Sequence, residues 1–300
     1  MSDTLESLRR KIDGATELDS VVRTMKALAA SSIVQYERAV QSLDDYYRTV
    51  EFGMVAWLRQ TGAAIYPGGS TRLKKGATGT VVFGSDQGLV GQFNETLADF
   101  AVNNLKSMQG GKIIWAVGER MQGYLADAAL PVAGNFPLPN SIVAITPLVG
   151  RILIEIEAQR EQGKVAEVYL FHNRPKSGAV YEPVMQRLLP LDETWRRGLS
   201  ELHWPTGNLP EVLVGGEATL AALIREYLFI SLFRACAESL ASENASRLAA
   251  MQRAEKNIDE LLEDLSRNFH RLRQNGIDEE LFDVIAGFEA LAVPLRVKEA

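Results

Sequence analysis

Residues 241–291 read ASENASRLAAMQRAEKNIDELLEDLSRNFHRLRQNGIDEELFDVIAGFEAL. Met251, Ile258, Leu265 and Leu272 stand seven apart, and Leu248, Leu262 and Phe269 fall in the alternate row. That spacing keeps one narrow apolar seam on a helix and leaves its other faces charged, the pattern of a coiled coil. No proline lies between Pro210 and Pro294, so nothing forces a break before the last few residues. A continuous helix from Glu217 to Leu291 spans roughly 110 Å at ~1.5 Å per residue. A globule of this length has a radius of gyration of only ~19 Å. The helix is therefore expected to project from its own body, and its seam needs a partner.

The opening segment supplies one. Val22, Ala29, Tyr36, Leu43, Val50 and Trp57 stand seven apart, and so do Met25, Ser32, Ala39, Tyr46 and Gly53. Ala29, Ser32 and Ala39 are small enough to admit a close neighbour. Of the 11 prolines, ten fall between 67 and 210 and the last is Pro294. The chain thus divides into a helix (1–60), a linker (61–78), an α/β domain (79–210), a second helix (211–291) and a tail (292–300). Pairing the two ends antiparallel buries both seams. Ser2 or Asp3 can cap the first helix.

The middle alternates strand and helix. Strands are expected at 79–84, 112–117, 166–173 and 180–189. Helices are expected at 92–108, 119–129 and 142–160, the last interrupted near Pro147, with a loop over 200–210. Such alternation indicates a mainly parallel, Rossmann-like sheet covered on both faces.

Composition narrows the function. The net charge of -6 gives no overall basic field for nucleic acid. The single Cys236 cannot form an internal disulfide and suits a reducing compartment. MSDTLESLRRKID has no apolar core of a secretory signal. The best membrane candidate, 218–233, is short and interrupted by Arg225 and Glu226, so no direct membrane span is expected. The glycines of Gly84-Ser-Asp-Gln-Gly88-Leu-Val-Gly91 follow a strand and open a helix, where a phosphate loop sits. Leu89 and Val90 occupy the places of the lysine and hydroxyl, so a plain tight turn is the better reading. His172, His203 and His270 are scattered with no second ligand at metal spacing. No cofactor, metal or catalytic residue is expected. On these grounds alone a nucleotide-binding α/β enzyme and a coiled-coil scaffold both stay open.

Several blocks resemble the gamma-subunit family of F-type ATP synthases. Residues 5–12 (LESLRRKI) and 22–31 (VRTMKALAAS) resemble its opening helix, and 85–94 (SDQGLVGQFN) is similar to its central signature. Residues 181–191 (YEPVMQRLLP and Leu191) look like the strand that closes its globular domain. Residues 241–251 match its ASExxARMxAM block, and Asn257, Arg273, Gln274 and 277–287 fall on its ending. The resemblance covers essentially the whole chain, and the terminal blocks are its specific part. It implies a rotor of the central stalk, with partners in the alpha and beta subunits, the epsilon subunit and the c-ring. It also implies a peripheral position on the cytoplasmic face of a bacterial inner membrane. Met25, Lys26, Arg273, Gln274, Ile277 and Asp278 match positions near the alpha/beta ring, and Arg267, Arg271 and Arg273 would face an acidic loop there. The chain departs from the pattern at Ser32-Ile33, Val90 and Asp278. Those departures resemble divergent gammas such as the alternative, sodium-type branch.

Overall fold

A computed structural model describes residues 4–61, 76–176, 179–191, 193–208, 211–212 and 217–292. The expected caps Ser2 and Asp3, most of the linker and the tail from 293 lie outside these. The chain divides into two units, one of residues 1–27 with 251–300 and one of residues 28–250. Two long helices run through both: α1 (Leu5–Thr61) and the last helix, α6 (Glu217–Ala292). The hydroxyl oxygen of Thr4 accepts the Ser7 amide at 3.2 Å and so caps α1.

Within residues 28–250 the sheet order is β3-β2-β1-β4-β5, formed by β1 (Ala77–Phe83), β2 (Lys112–Val117), β3 (Val132–Phe136), β4 (Val165–Lys176) and β5 (Ala179–Leu189). The first four pair parallel, and β5 returns antiparallel along β4. Every residue of β1 from Thr78 on is buried, as a central strand covered on both faces requires. The helices α2 (Phe93–Ser107) and α3 (Glu119–Asp127) bury Phe93, Leu97, Leu105, Met121 and Leu125, and their core takes in Val82, Ile114 and Phe171. The opposite face carries α4 (Ile142–Glu161), the second half of α1 and the first third of α6. Right-handed crossovers explain the split. Steps from β1 to β2 to β3 run one way across the sheet, and the step back to β4 must put α4 on the other face.

Four expectations need correction. First, α4 is not interrupted. Pro147 is its sixth residue, and the carbonyl it leaves unbonded belongs to Val143, whose side chain is 83% exposed, so water can reach that part of the helix. Second, β3 went unforeseen: its five residues VAGNF alternate half-buried and exposed, an edge strand with little apolar signal. Third, α5 (Glu193–Glu201) stands partly where a loop was expected, and Leu199 is its one buried residue. Fourth, the second row of α1 broadens by one position: Met25, Ser32, Ala39 and Gly53 are half-buried as expected, and the residues next to the row share the contact. Ile33, Val40 and Tyr47 are half-buried and Met54 is buried, whereas Tyr46 is 45% exposed. In addition, β1 begins at Ala77, two residues before the expected Gly79.

The two helices run antiparallel in each unit. In residues 28–250, Asp44 pairs with Arg234 at 3.0 Å, Tyr46 donates to Glu226 at 2.9 Å, and the Val212 amide donates to Gln60 at 2.8 Å. At Gly53 a Cβ would lie 2.9 Å from Leu223, so the small residue sets how closely they approach. In the other unit, Lys26 reaches Glu255 at 2.5 Å, and Arg23 reaches Glu255 at 3.6 Å and Asp259 at 3.9 Å.

Candidate functional site

The strand order reverses between β1 and β4, and the crevice at the carboxyl ends of those strands is where open α/β sheets hold nucleotides. Here the chain fills that place itself. From α6, the Ser239 hydroxyl donates to the Phe83 carbonyl at 3.0 Å and Ser242 to the Asn173 carbonyl at 3.1 Å. Ser246 donates to the Val90 carbonyl at 2.6 Å. All three serines are buried. The loop after β1 is closed in the same way. Asn94 accepts the Ser85 amide at 2.9 Å and returns a bond to the Ser85 hydroxyl at 2.7 Å. Asp86 accepts the Glu119 amide at 2.9 Å and the Leu138 amide at 3.0 Å. A carboxylate therefore sits at the N-terminus of α3, where a bound anion would otherwise be held. Gly118 makes this turn possible: its φ is 103°, and a Cβ would come within 2.7 Å of the Ser85 backbone.

The same stretch of α6 is tied to the body by charge. Nε2 of buried His172 lies 2.9 Å from Glu238, whose other oxygen accepts from Arg234 at 2.9 Å; Arg234 in turn pairs with Asp44 on α1. Burial by itself pushes the Glu238 carboxyl up, but hydrogen bonds from His172 and Arg234 outweigh it and hold it below the ordinary value. One turn on, burial pushes the Glu243 carboxyl up against the pull of Arg247, which it accepts at 2.6 Å. Cys236 is fully buried, and burial raises its thiol. Among the described residues no group of three His, Cys, Asp or Glu gathers as a metal site.

The residues singled out as ring contacts lie on the unit of residues 1–27 and 251–300. Arg273, Gln274, Ile277 and Asp278 are exposed, Ile277 by 54%; Met25 is half-buried. Lys26 differs from expectation in one respect: its ammonium is bonded to Glu255 inside the helix pair. Arg267 pairs with Glu263 and Asp264 on its own helix, and Arg271 with Asn268, so of the three arginines only Arg273 shows no such bond among the described residues. Of the seam residues in this unit, Met251 is buried and Val22, Ile258, Leu262, Leu265, Phe269 and Leu272 are half-buried. In the larger unit Ala29, Tyr36 and Val50 are buried, and Leu43 and Leu248 half-buried.

One feature escaped the heptad reading. After Gly276 the apolar residues leave the seam. Ile277, Leu281, Val284, Ile285 and Phe288 are exposed by 44–76%. At ~100° per residue they form a stripe turned roughly 150° from the row of Leu265 and Leu272. The signal was present in IDEELFDVIAGF as an i, i+4, i+7, i+8, i+11 pattern. Among the described residues nothing covers it.

A sequence profile described as ATP synthase matches residues 4–291. The ATP synthase gamma chain of Polynucleobacter necessarius is 25% identical over 299 residues, covering 97% of this chain and 100% of that one. That of Syntrophobacter fumaroxidans is 27% identical over 297 residues, covering 96% and 99%. Among solved structures, the rotor of the Euglena gracilis mitochondrial ATP synthase superposes with a TM-score of 0.62 at 15% identity, over 91% of this chain and 98% of that. The central stalk and c-ring of the Tetrahymena thermophila enzyme gives a chain with TM-score 0.54 at 18% identity, over 78% and 99%. At such identity these superpositions establish the fold.

Proposed function

The chain belongs to the ATP synthase family, as a gamma chain of the central stalk, and from that premise we propose that it turns as a rotor while catalysing nothing itself. Its partners are the alpha and beta subunits around the shaft, with the epsilon subunit and the c-ring, and it sits peripherally on the cytoplasmic face of the membrane. No described helix is long and apolar enough to cross a membrane, so contact with one runs through partners. The crevice of its sheet is filled by Ser239, Ser242 and Ser246, which supports the absence of a catalytic site.

The observation that carries the rotor reading is the exposed apolar stripe of Ile277, Leu281, Val284, Ile285 and Phe288. A run of this kind, on a length of helix where every described side chain from Ile277 to Phe288 is exposed, calls for an enclosing partner. Apolar contact has no directional bonds to break, so a helix seated this way can turn against its surroundings. One asymmetric shaft cannot meet three catalytic sites alike, and each shaft angle favours a different conformation at each site through differential contact. Arg273, Gln274 and Asp278 would add polar contacts around that seat, each worth only ~0–1 kcal/mol when exposed, and Met25 would meet the ring farther along the shaft.

The test watches the chain turn. Glu157 is exposed on α4 and suits a Glu157→Cys probe site, since buried Cys236 stays silent to thiol reagents. With the alpha/beta ring fixed to a surface, ATP is expected to drive the probe round in one direction. A stationary probe on complexes that hydrolyse ATP would overturn the assignment.

A further inference from the structure

Where the C-terminal turn of α1 meets α5, in the unit of residues 28–250, the surface opens into a cleft of about 330 Å³. Its floor is apolar: Val55 is 2% exposed and Leu58 9%. Its walls carry three guanidinium groups, from Arg59, Arg196 and Arg197, against the one carboxylate of Glu193. The chain as a whole has net charge -6, so this is a local reversal of sign.

The arginines are not interchangeable. Arg196 is held by Glu193 at 2.5 Å. Arg59 lies over the Trp204 ring, 5.8 Å from its centroid, and that ring packs edge-on against Phe52. Such a cation–π contact holds the guanidinium by its charge and uses up none of its N–H donors. Neither Arg59 nor Arg197 has a carboxylate partner among the described residues. Two unneutralised guanidinium groups beside a third, over an apolar floor, make a poor solvated surface and a good receptor. Guanidinium forks match phosphate oxygens in pairs, and a cleft of this size has room for carbon beyond the phosphate.

We infer that this cleft binds a phosphate-bearing anion with a short aliphatic body, its phosphate between Arg59 and Arg197 and its carbons on Val55 and Leu58. The site is separate from the filled crevice at the sheet's carboxyl edge and does not depend on the rotor reading. Glu193 competes with the ligand for Arg196, so the geometry also predicts a gain of affinity when that carboxylate is removed.

The experiment titrates the purified full chain with inorganic pyrophosphate and with dihexanoyl phosphatidic acid, and measures flotation with vesicles of phosphatidylcholine with or without phosphatidic acid. The soluble lipid is expected to bind more tightly than pyrophosphate. R59Q/R197Q should weaken it at least tenfold, and R38Q, a neutralisation elsewhere on α1, should leave it unchanged. E193Q should tighten it several-fold, a result that misfolding cannot imitate. Flotation with phosphatidic acid vesicles alone would identify the source as a lipid headgroup. Binding of the soluble probes without flotation would identify a soluble phosphate compound. No binding of any probe, or binding indifferent to R59Q/R197Q, would overturn the inference.

Discussion

Glu238 sits at the meeting point of three elements, accepting from His172 on β4 and from Arg234, which also holds Asp44 of α1. Removing one member leaves buried charge uncompensated, so Glu238→Gln is expected to cost about 3 kcal/mol at neutral pH in urea unfolding. The folded carboxyl titrates below its ordinary value of 4.5, so its contribution is complete above that value. It is lost as pH falls through the folded value, and the gap between wild type and variant should close there. A gap that stays constant down to the acid limit would show that the carboxylate's charge does not matter. Glu243 carries the opposite sign. Its folded value lies above 4.5, so its ionised form costs stability, and Glu243→Gln should improve relative to wild type as pH rises past 4.5. Cys236, buried and with its thiol pushed up, should react with a thiol reagent only when the chain unfolds. Labelling of the native chain at the rate of a solvent-exposed thiol would contradict its placement.

At the scale of elements, the helix pair depends on a thin strip of contact. Leu265 is half-buried in the seam of α6, and Leu265→Asp places a charge there. A loss of about 2–4 kcal/mol is expected, read as lost helicity on heating and as poorer assembly with alpha and beta subunits. Wild-type helicity and assembly in that variant would argue against the pairing. The α6 seam was readable because its apolar residues occupy one strip and charged residues the rest. The partner row of α1 was harder. A first row fixes its companion only to three or four residues on, and apolar or small residues stand at both, Met25, Ser32 and Ala39 against Ile33, Val40 and Tyr47. The structure uses both: Gly53 faces Leu223 closely, while Tyr47 packs against Tyr227 and Met54 is buried. β3 and α5 left too faint a trace for a similar reason, since one is a half-exposed edge and the other buries only Leu199, with Trp195 half-buried against Tyr227. The filled crevice could not be read at all. Ser239, Ser242 and Ser246 look like ordinary small helix residues until their acceptors from β1, β4 and the following loop are seen beside them.

For the whole molecule, the two units differ in how they hold themselves together. Residues 28–250 contain a sheet with an apolar core on each face. A chain trimmed to 28–250 is therefore expected to unfold in one cooperative transition, followed by circular dichroism in urea. Residues 1–27 and 251–300 supply one seam and a few ion pairs, and a pair of helices that thin should not fold when severed. A trimmed chain that melts without cooperativity would show that the larger unit needs the smaller. The intact chain alone should hydrolyse no ATP above background, and the same preparation should support hydrolysis once alpha and beta subunits are added.

The three serine bonds of α6 have a mechanical meaning. A driven axle must not slip in its own hub. Ser239, Ser242 and Ser246 grip carbonyls on two strands and a loop, so twisting the helix about its axis strains all three bonds together. From Met251 to Gly276 the helix is held along one strip only, and from Ile277 to Phe288 every described side chain is exposed. Torsional give is thereby concentrated in that outer length, which can wind elastically under load while its keyed end stays put.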